Sequence, residues 1–252
     1  MAYETTKRDI NEILQFRTDI SPFLVHLTRA QNDTSAKDVL IKILREHKLK
    51  QSGKKISDAR FGIDDRKIED NEKKNLFSAI CFSETPLNEI HSLLDIKGRK
   101  VKLEAYGLVF LKELLAKKNV SPVFYINNEA DDKNKVLKAL LTLREEFPIE
   151  ANCVLPLLAV FGQKATAPNA RAHQHGKINF SWEREWRYPF IYGDLVFDEE
   201  DVFIGLCPDD EISKFESKFS PITFVDPRRN MKFYAMKLIE ARERFPLKCS
   251  VV

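Results

Sequence analysis

Glycine is scarce in this chain, which has 8 glycines among its 252 residues. The sequence contains no GxGxxG and no GxxxxGK(S/T) segment, so the glycine-rich loops that bind nucleotide phosphates are not indicated. A GxSxG segment is also missing, which removes the nucleophile turn of the α/β-hydrolases. A candidate site in this chain therefore has to be sought outside these glycine-containing motifs.

Cysteine is also rare, with four residues at positions 81, 153, 207 and 249 and no CxxC pair among them. Zinc sites built on such pairs are therefore not indicated. The cysteines are far apart and lie mostly in apolar surroundings, which favours free thiols in a reducing compartment over disulfides. This pattern predicts a cytoplasmic protein.

Long hydrophobic runs are absent: the sequence contains no stretch of about 18 consecutive apolar residues, the length that a membrane-spanning helix needs. The first 25 residues carry charges throughout and lack the apolar core of a signal peptide. Both absences predict a protein that does not associate with a membrane. The net charge of +3 is too small to imply nucleic-acid binding, and it does not exclude such binding.

Hydrophobic residues make up 43% of the chain and charged residues 31%, which is typical of a soluble globular protein. The length suits one large domain over residues 1–252. Strand-like and helix-like segments alternate, so we expect an α+β fold. Residues 49–76 are dense in charge and predict an exposed loop, whereas residues 131–163 predict a helical insertion.

Short apolar runs mark the expected strands. Residues 33–35 offer N-caps for a helix in which Leu40 and Leu44 recur at helical spacing. Pro86 closes the run at 77–87, and a helix is expected over residues 88–94. The other expected strands are residues 21–28, 105–110, 121–126, 181–188, 201–206, 221–225 and 231–238.

The segment Ser181–Tyr188, SWEREWRY, is the most conspicuous candidate for chemistry. Strand alternation over this segment would place Glu183, Glu185 and Arg187 on one face. Two carboxylates on one face repel each other unless a cation or a ligand compensates them. An exposed edge strand whose charges face water is the alternative interpretation, and the pattern alone leaves both open.

Three further polar residues interrupt or end apolar runs. His26 lies inside the apolar run at 21–28, and Ser83 and Thr85 end the run at 77–87. His26 is either a core histidine with satisfied hydrogen bonds or a ligand-binding group. Ser83 and Thr85 are either helix caps or pocket residues.

Metal-dependent chemistry is the weaker alternative. His173 and His175 could begin a metal site with Glu183 or Glu185, but no third ligand stands at a recognisable spacing. A magnesium nuclease needs a lysine near its acidic pair, and Arg187 occupies that place. Because arginine stays protonated, it cannot serve as the base. We therefore expect no metal site.

The order of the motifs carries more information than any one of them. The series runs from the His26 strand through CFSETPL (81–87), GLVFLKELLAKKNVSPVFYI (107–126) and SWEREWRY to VFIGLCPDDEISKF (202–215). This series resembles the AbiGi-type family of abortive-infection, phage-resistance proteins over residues 20 to 240. It also resembles a bacterial family with a YExEWR-like motif.

Both families look like distant relatives of the ADP-ribosyltransferases. That resemblance implies a split β-sheet core with flanking helices and an NAD pocket, with NAD as substrate. It implies that Glu185 stabilises positive charge at the anomeric carbon, that Glu183 activates the acceptor, and that His26 hydrogen-bonds NAD. The other residues that it implies in NAD binding are Thr28, Ser83, Thr85, Arg187 and, as aromatic candidates, Tyr106 and Tyr125.

The resemblance implies an NAD-dependent ADP-ribosyltransferase acting as a toxin or phage-defence effector on a protein or nucleic-acid acceptor. The alternative is a non-catalytic, antitoxin-like module that contacts a cognate toxin or antitoxin protein. One departure from the family pattern stands out, because the turn reads Ser-Glu-Thr where those enzymes have a Ser-Thr-Ser-like turn.

Overall fold

The structure is a computed structural model that describes residues 19–51, 78–94, 96, 102–127, 133–161, 163–164, 177–178 and 181–245. The strands are β1 (Phe23–Leu27), β2 (Lys48–Leu49), β3 (Ala79–Ser83), β4 (Gly107–Leu111), β5 (Ser121–Pro122), β6 (Phe124–Asn127), β7 (Leu158–Phe161), β8 (Gln163–Lys164), β9 (Lys177–Ile178), β10 (Glu185–Pro189), β11 (Leu195–Val196), β12 (Val202–Leu206) and β13 (Phe224–Val225). The α-helices are α1 (Ala36–Glu46), α2 (Lys112–Lys117), α3 (Lys133–Glu146), α4 (Pro148–Val154), α5 (Ile212–Lys218) and α6 (Ala235–Glu243).

Seven of these strands form one mixed sheet in the order β13-β12-β4-β1-β3-β10-β5. β12 and β13 are parallel, and the other pairs in this sheet are antiparallel. The fold is therefore a mixed α/β arrangement with a mixed sheet. Within the described residues, no helix combines the length and the apolar character needed to cross a membrane.

The core forms where apolar side chains of the central strands meet the helices. Phe82 on β3 packs edge-to-face against Phe110 on β4 at 6.0 Å between ring centroids, and Phe110 packs against Phe197 at 5.4 Å. Helix α1 buries Leu40 and Leu44 in the same core cluster. Burial of such large side chains stabilises the sheet that carries the candidate site.

Helix α1 begins where its sequence predicts. Ser35 is the N-cap, and its hydroxyl accepts a hydrogen bond from the Asp38 backbone N–H at 3.1 Å. The helix ends at His47, which adopts the left-handed conformation with φ of 50°. The predicted cap and helix are confirmed.

The contact between β1 and β3 is narrow. β1 pairs with β4 at every position from Phe23 to Leu27, but its ladder with β3 has a single registered position, Val25 opposite Ser83. Beyond that position the two strands no longer form a regular ladder. The seven-stranded sheet nevertheless runs through this pair of strands.

The helical insertion predicted for residues 131–163 is only partly correct. Helices α3 and α4 and a 3-10 turn at Leu155–Leu157 fill its first part. The chain then enters β7, which pairs in parallel with β6. An apolar run of this length fits a buried strand as well as a buried helix, so periodicity could not separate the two.

The strand predicted over residues 181–188 is shorter than expected. Ser181–Glu183 forms a 3-10 turn, and β10 begins only at Glu185. Between them, Arg184 has a positive φ of 44°, which is uncommon for a residue with a side chain. Glu183 therefore does not share the regular strand face of Glu185 and Arg187.

Two other predicted elements differ in type. Residues 231–238, predicted as a strand, form a 3-10 helix at Met231–Tyr234 followed by α6. The helix predicted over residues 88–94 is a 3-10 helix at Leu87–Leu93. Of the predicted loop at 49–76, residues 52–76 lie outside the described residues, as do His173 and His175.

Candidate functional site

Strand β10 lies between β3 and β5, and its register brings two predicted residues together. Glu185 stands directly opposite Ser83, and Arg187 stands opposite Cys81. Residues that are directly opposite in an antiparallel pair share a face, with Cβ atoms about 4.5–5.5 Å apart. Ser83, Glu185, Cys81 and Arg187 therefore line one face of the sheet.

Hydrogen bonds fix the backbone of Glu185 and of the preceding residue, Arg184. Its N–H donates to the Tyr125 hydroxyl at 2.9 Å, and its carbonyl accepts from the Val123 N–H at 2.9 Å. On the other edge, the Glu84 N–H donates to the Arg184 carbonyl at 3.1 Å. These contacts hold the first residue of β10 at the left-handed turn made by Arg184.

Arg187 is buried and holds the Glu185 carboxylate. Its Nη2 donates to Glu185 Oε2 at 2.7 Å, and its Nη1 donates to the carbonyls of Pro156 and Leu158, both at 2.8 Å. Burial is the largest single effect and by itself would lower the pKa of Arg187, but the charge and hydrogen bond of Glu185, together with Cys81 and Tyr125, raise the pKa overall. The pair is thus an ion pair at neutral pH.

Tyr125 supplies a neutral hydroxyl beside this ion pair. Burial raises the pKa of Tyr125 to about 12, and the negative charges of Glu185 and Glu183 act in the same direction. The Tyr125 oxygen already accepts the Glu185 N–H, so its own proton remains able to reach an acceptor. Of the two predicted aromatic candidates, Tyr125 lies next to Glu185.

Cys81 lies on the same face of the sheet as Glu185, but its thiol is not an activated nucleophile. The residue is exposed by its accessible area, although many protein atoms surround the thiol and desolvate it. This burial and the Glu185 carboxylate raise the pKa of Cys81 well above its usual range. The thiol is therefore protonated at neutral pH and is not an activated nucleophile.

His26 lies on the opposite face of the sheet from Ser83 and Glu185. Val25 is the residue that pairs with Ser83, so the next residue along β1 points the other way. The His26 ring contacts Phe82 at 5.6 Å between centroids, and its Nδ1 lies 2.9 Å from the Cys81 carbonyl oxygen. Because a carbonyl only accepts, Nδ1 carries the proton.

This placement gives His26 a pH-dependent effect on stability. Burial lowers the pKa of His26 below its usual value of 6.5, so the unfolded chain binds the proton more readily than the folded chain. The stability lost through His26 therefore grows as the pH falls below about 6.5, and it levels off below the lowered folded pKa.

We expect the wild type to lose more free energy of unfolding than His26→Gln between pH 7.5 and pH 5.5, by at most about 1.4 kcal/mol, the limit set by an unfolded pKa of about 6.5. Glutamine can donate to the Cys81 carbonyl without titrating. Urea unfolding of both proteins at the two pH values measures the difference. Equal losses in the two proteins would contradict this role of His26.

The other predicted residues occupy structural positions. Thr28 is buried, and its hydroxyl lies within hydrogen-bond distance of the Ala36 and Tyr106 carbonyls, at 2.9 and 3.1 Å. The Tyr106 hydroxyl donates to Glu211 at 3.1 Å. Tyr106 directly precedes β4, and two strands of the sheet lie between β4 and β10. Thr85 is buried. The structure does not bring Thr28 or Tyr106 to Glu185.

Glu84 is a residue whose importance the sequence interpretation missed. It is 5% exposed, and its carboxylate accepts from Arg184 at 2.9 Å and from the Trp186 indole at 2.8 Å. Lys112 lies 3.4 Å from the same carboxylate. The Ser-Glu-Thr departure in the turn was the sequence signal for this buried carboxylate.

No metal centre is evident in the described part of the chain, where no group of three or more His, Cys, Asp or Glu side chains is placed to hold an ion. The chemical resources of this face are an ionised carboxylate, a buried guanidinium, a neutral phenol and a hydroxyl. Such a set can bind a polar ligand and stabilise developing positive charge.

Comparison with known proteins adds no relative to this picture. No family model, no curated protein and no solved structure matches the chain.

Proposed function

We propose that the chain is an NAD-dependent ADP-ribosyltransferase-like enzyme, a cytoplasmic toxin or phage-defence effector of AbiGi type. The observation that carries this proposal is the register of β3 and β10, which sets Ser83 directly opposite Glu185 on one face. The order of motifs in the sequence led to the same two residues.

The chemistry fits the side chains of this face. The bond between the nicotinamide ring nitrogen and C1 of the ribose breaks, and its electron pair leaves with neutral nicotinamide. The positive charge left on the ribose is stabilised by the Glu185 carboxylate, as in other glycosyl transfers. An oxygen or nitrogen of the protein or nucleic-acid acceptor then bonds to C1 and gives its proton to Glu183, which lies in the 3-10 turn just before β10 and not on the strand face itself.

The alternative function is a non-catalytic module that binds a cognate toxin or antitoxin protein. Two observations favour this alternative: Arg187 neutralises Glu185 at 2.7 Å, and His26 lies on the other face of the sheet. In this function the residues of the pocket face stabilise the fold and do not act on NAD.

Turnover of NAD separates the two functions. Purified protein is incubated with NAD labelled in its adenylate phosphate, together with a host lysate, and free nicotinamide is measured by chromatography. We expect nicotinamide release and label in macromolecules, and protease and nuclease digestion then identifies the acceptor class. If the protein neither binds NAD nor releases nicotinamide, the enzymatic proposal is wrong.

Tyr125→Phe is expected to lower nicotinamide release roughly fivefold, the effect of losing one hydrogen bond. The change removes the oxygen that receives the Glu185 N–H and also removes the neutral donor beside the carboxylate. Steady-state kinetics measure the effect. Tyr234→Phe is the matched control, because the Tyr234 hydroxyl donates to Asp209 at 2.9 Å away from this face. Similar losses in both variants would argue against a role for Tyr125.

A further inference from the structure

We infer that Arg187 is a positioning residue, which orients the Glu185 carboxylate and ties it to the segment at residues 155–158, and that it does not contact NAD. This role deepens the proposed function and rests on it for the activity measurements. The inference starts from three hydrogen bonds made by one buried guanidinium group.

The guanidinium of Arg187 is fixed by the protein backbone. Its Nη1 uses both hydrogens on the carbonyls of Pro156 and Leu158, each at 2.8 Å. Because the group is planar and rigid, these two bonds set the direction of Nη2 as well. Nη2 then holds Glu185 Oε2 at 2.7 Å, so the carboxylate is located relative to residues 155–158.

The burial of Arg187 explains why its guanidinium is paired with the Glu185 carboxylate. Arg187 is 4% exposed, and a buried charge is costly unless a counter-charge and hydrogen bonds accompany it. Glu185 supplies the counter-charge two residues away on the same strand face. In return the guanidinium favours the ionised form of Glu185, which is the form that stabilises an oxocarbenium-like ribose.

The same geometry leaves little room for Arg187 to bind a cofactor. Its Nη1 and one Nη2 hydrogen are occupied by protein acceptors, and its Nε is buried and has no hydrogen-bond partner among the described residues. A ligand phosphate would have to enter this buried space to reach the guanidinium. The side chain is therefore built to hold its neighbour.

Three variants test the assignment. Arg187→Met removes the charge and the fork, Arg187→Lys keeps a point charge without the planar fork, and Arg229→Met is the control. Arg229 also pairs with a carboxylate, that of Asp209 at 2.7 Å, but its side chain is 45% exposed and it lies outside β3 and β10. Circular dichroism and thermal unfolding first establish which variants are folded.

The kinetic measurement separates orientation from cofactor binding. In Arg187→Lys we expect kcat for nicotinamide release to fall about tenfold or more while KM for NAD stays unchanged, since a misplaced carboxylate affects the reacting state. In Arg187→Met the acidic limb of the pH–rate profile should also move to higher pH. A raised KM with unchanged kcat in either variant would overturn the inference and indicate cofactor binding.

The second measurement does not depend on activity. Carbon-13 NMR of glutamate side-chain carboxyls, assigned with Glu185→Gln, follows the titration of Glu185 directly. In Arg187→Met we expect the pKa of Glu185 to rise by roughly 1–3 units relative to the wild type, whereas Arg229→Met leaves it unchanged. No change in Arg187→Met would overturn the inference.

The two measurements also separate the inference from the proposed function. If wild-type protein does not act on NAD but the NMR titration shifts as expected, the enzymatic function fails and the positioning role of Arg187 stands. If Arg187→Met does not fold, Arg187→Lys decides through its kcat and KM. An Arg187→Lys protein with wild-type kinetics would then overturn the inference.

Discussion

Glu185→Gln is expected to lower nicotinamide release by about 10²–10³-fold, the loss typical of removing one group that stabilises charge in a transition state. Glutamine has the shape of glutamate, and its oxygen can still accept from Arg187. The variant lacks the negative charge that faces the ribose, and it also leaves the buried Arg187 without its counter-charge. We therefore expect it to be less stable than the wild type, and circular dichroism first establishes that it is folded. The loss should appear in kcat, with KM for NAD little changed.

The measurement uses the same chromatographic assay on folded protein, with Glu113→Gln as the matched control. Glu113 is 82% exposed and pairs with Lys117 on the surface of α2, so the same chemical change there should leave the rate unaltered. A Glu185→Gln protein that retains more than a third of wild-type activity would remove Glu185 from the catalytic role.

The sequence predicted strands at the segments that hold Ser83 and Glu185, and the resemblance assigned both residues to one pocket. Both segments form strands, and their register sets the two residues opposite each other, which the strand pattern alone did not predict. The ends of those strands were less predictable. A residue with a side chain at positive φ, such as Arg184, leaves no signature in an alternating pattern.

Short apolar segments were assigned least well, for a physical reason. At residues 231–238 an apparent alternation hid a helical period, in which Met231 and Tyr234 are the buried positions. At residues 158–161 an apolar run read as helix is the strand β7. In both places tertiary partners decide the conformation, since short apolar runs are compatible with either state.

The position of His26 in an apolar run did not predict which face of the sheet its side chain is on. Alternation places it opposite to Val25, but the face on which the pocket lies follows only from the long-range pairing of β1 with β3. The same holds for Arg187, whose carbonyl partners lie 29 and 31 residues earlier in the chain. Hydrogen bonds of this range depend on the folded topology.

Glu84 is a buried carboxylate that contacts the residues on both sides of Glu185. Its carboxylate binds Arg184, which makes the turn into β10, and the indole of Trp186, which follows Glu185. The buried carboxylate thus holds the residues on both sides of Glu185. The turn that departs from the family pattern therefore has a structural role in positioning β10.

Glu84→Ala is expected to lower the free energy of unfolding by about 3 kcal/mol, since removing one partner of a buried ion pair leaves the others uncompensated. The cost stays near the lower end of the usual range because Lys112 and Arg184 are 19% and 38% exposed and can reach water. Urea unfolding followed by circular dichroism measures the change, and Glu113→Ala should show no shift in midpoint. If both variants unfold at the wild-type midpoint, Glu84 does not hold β10 in place.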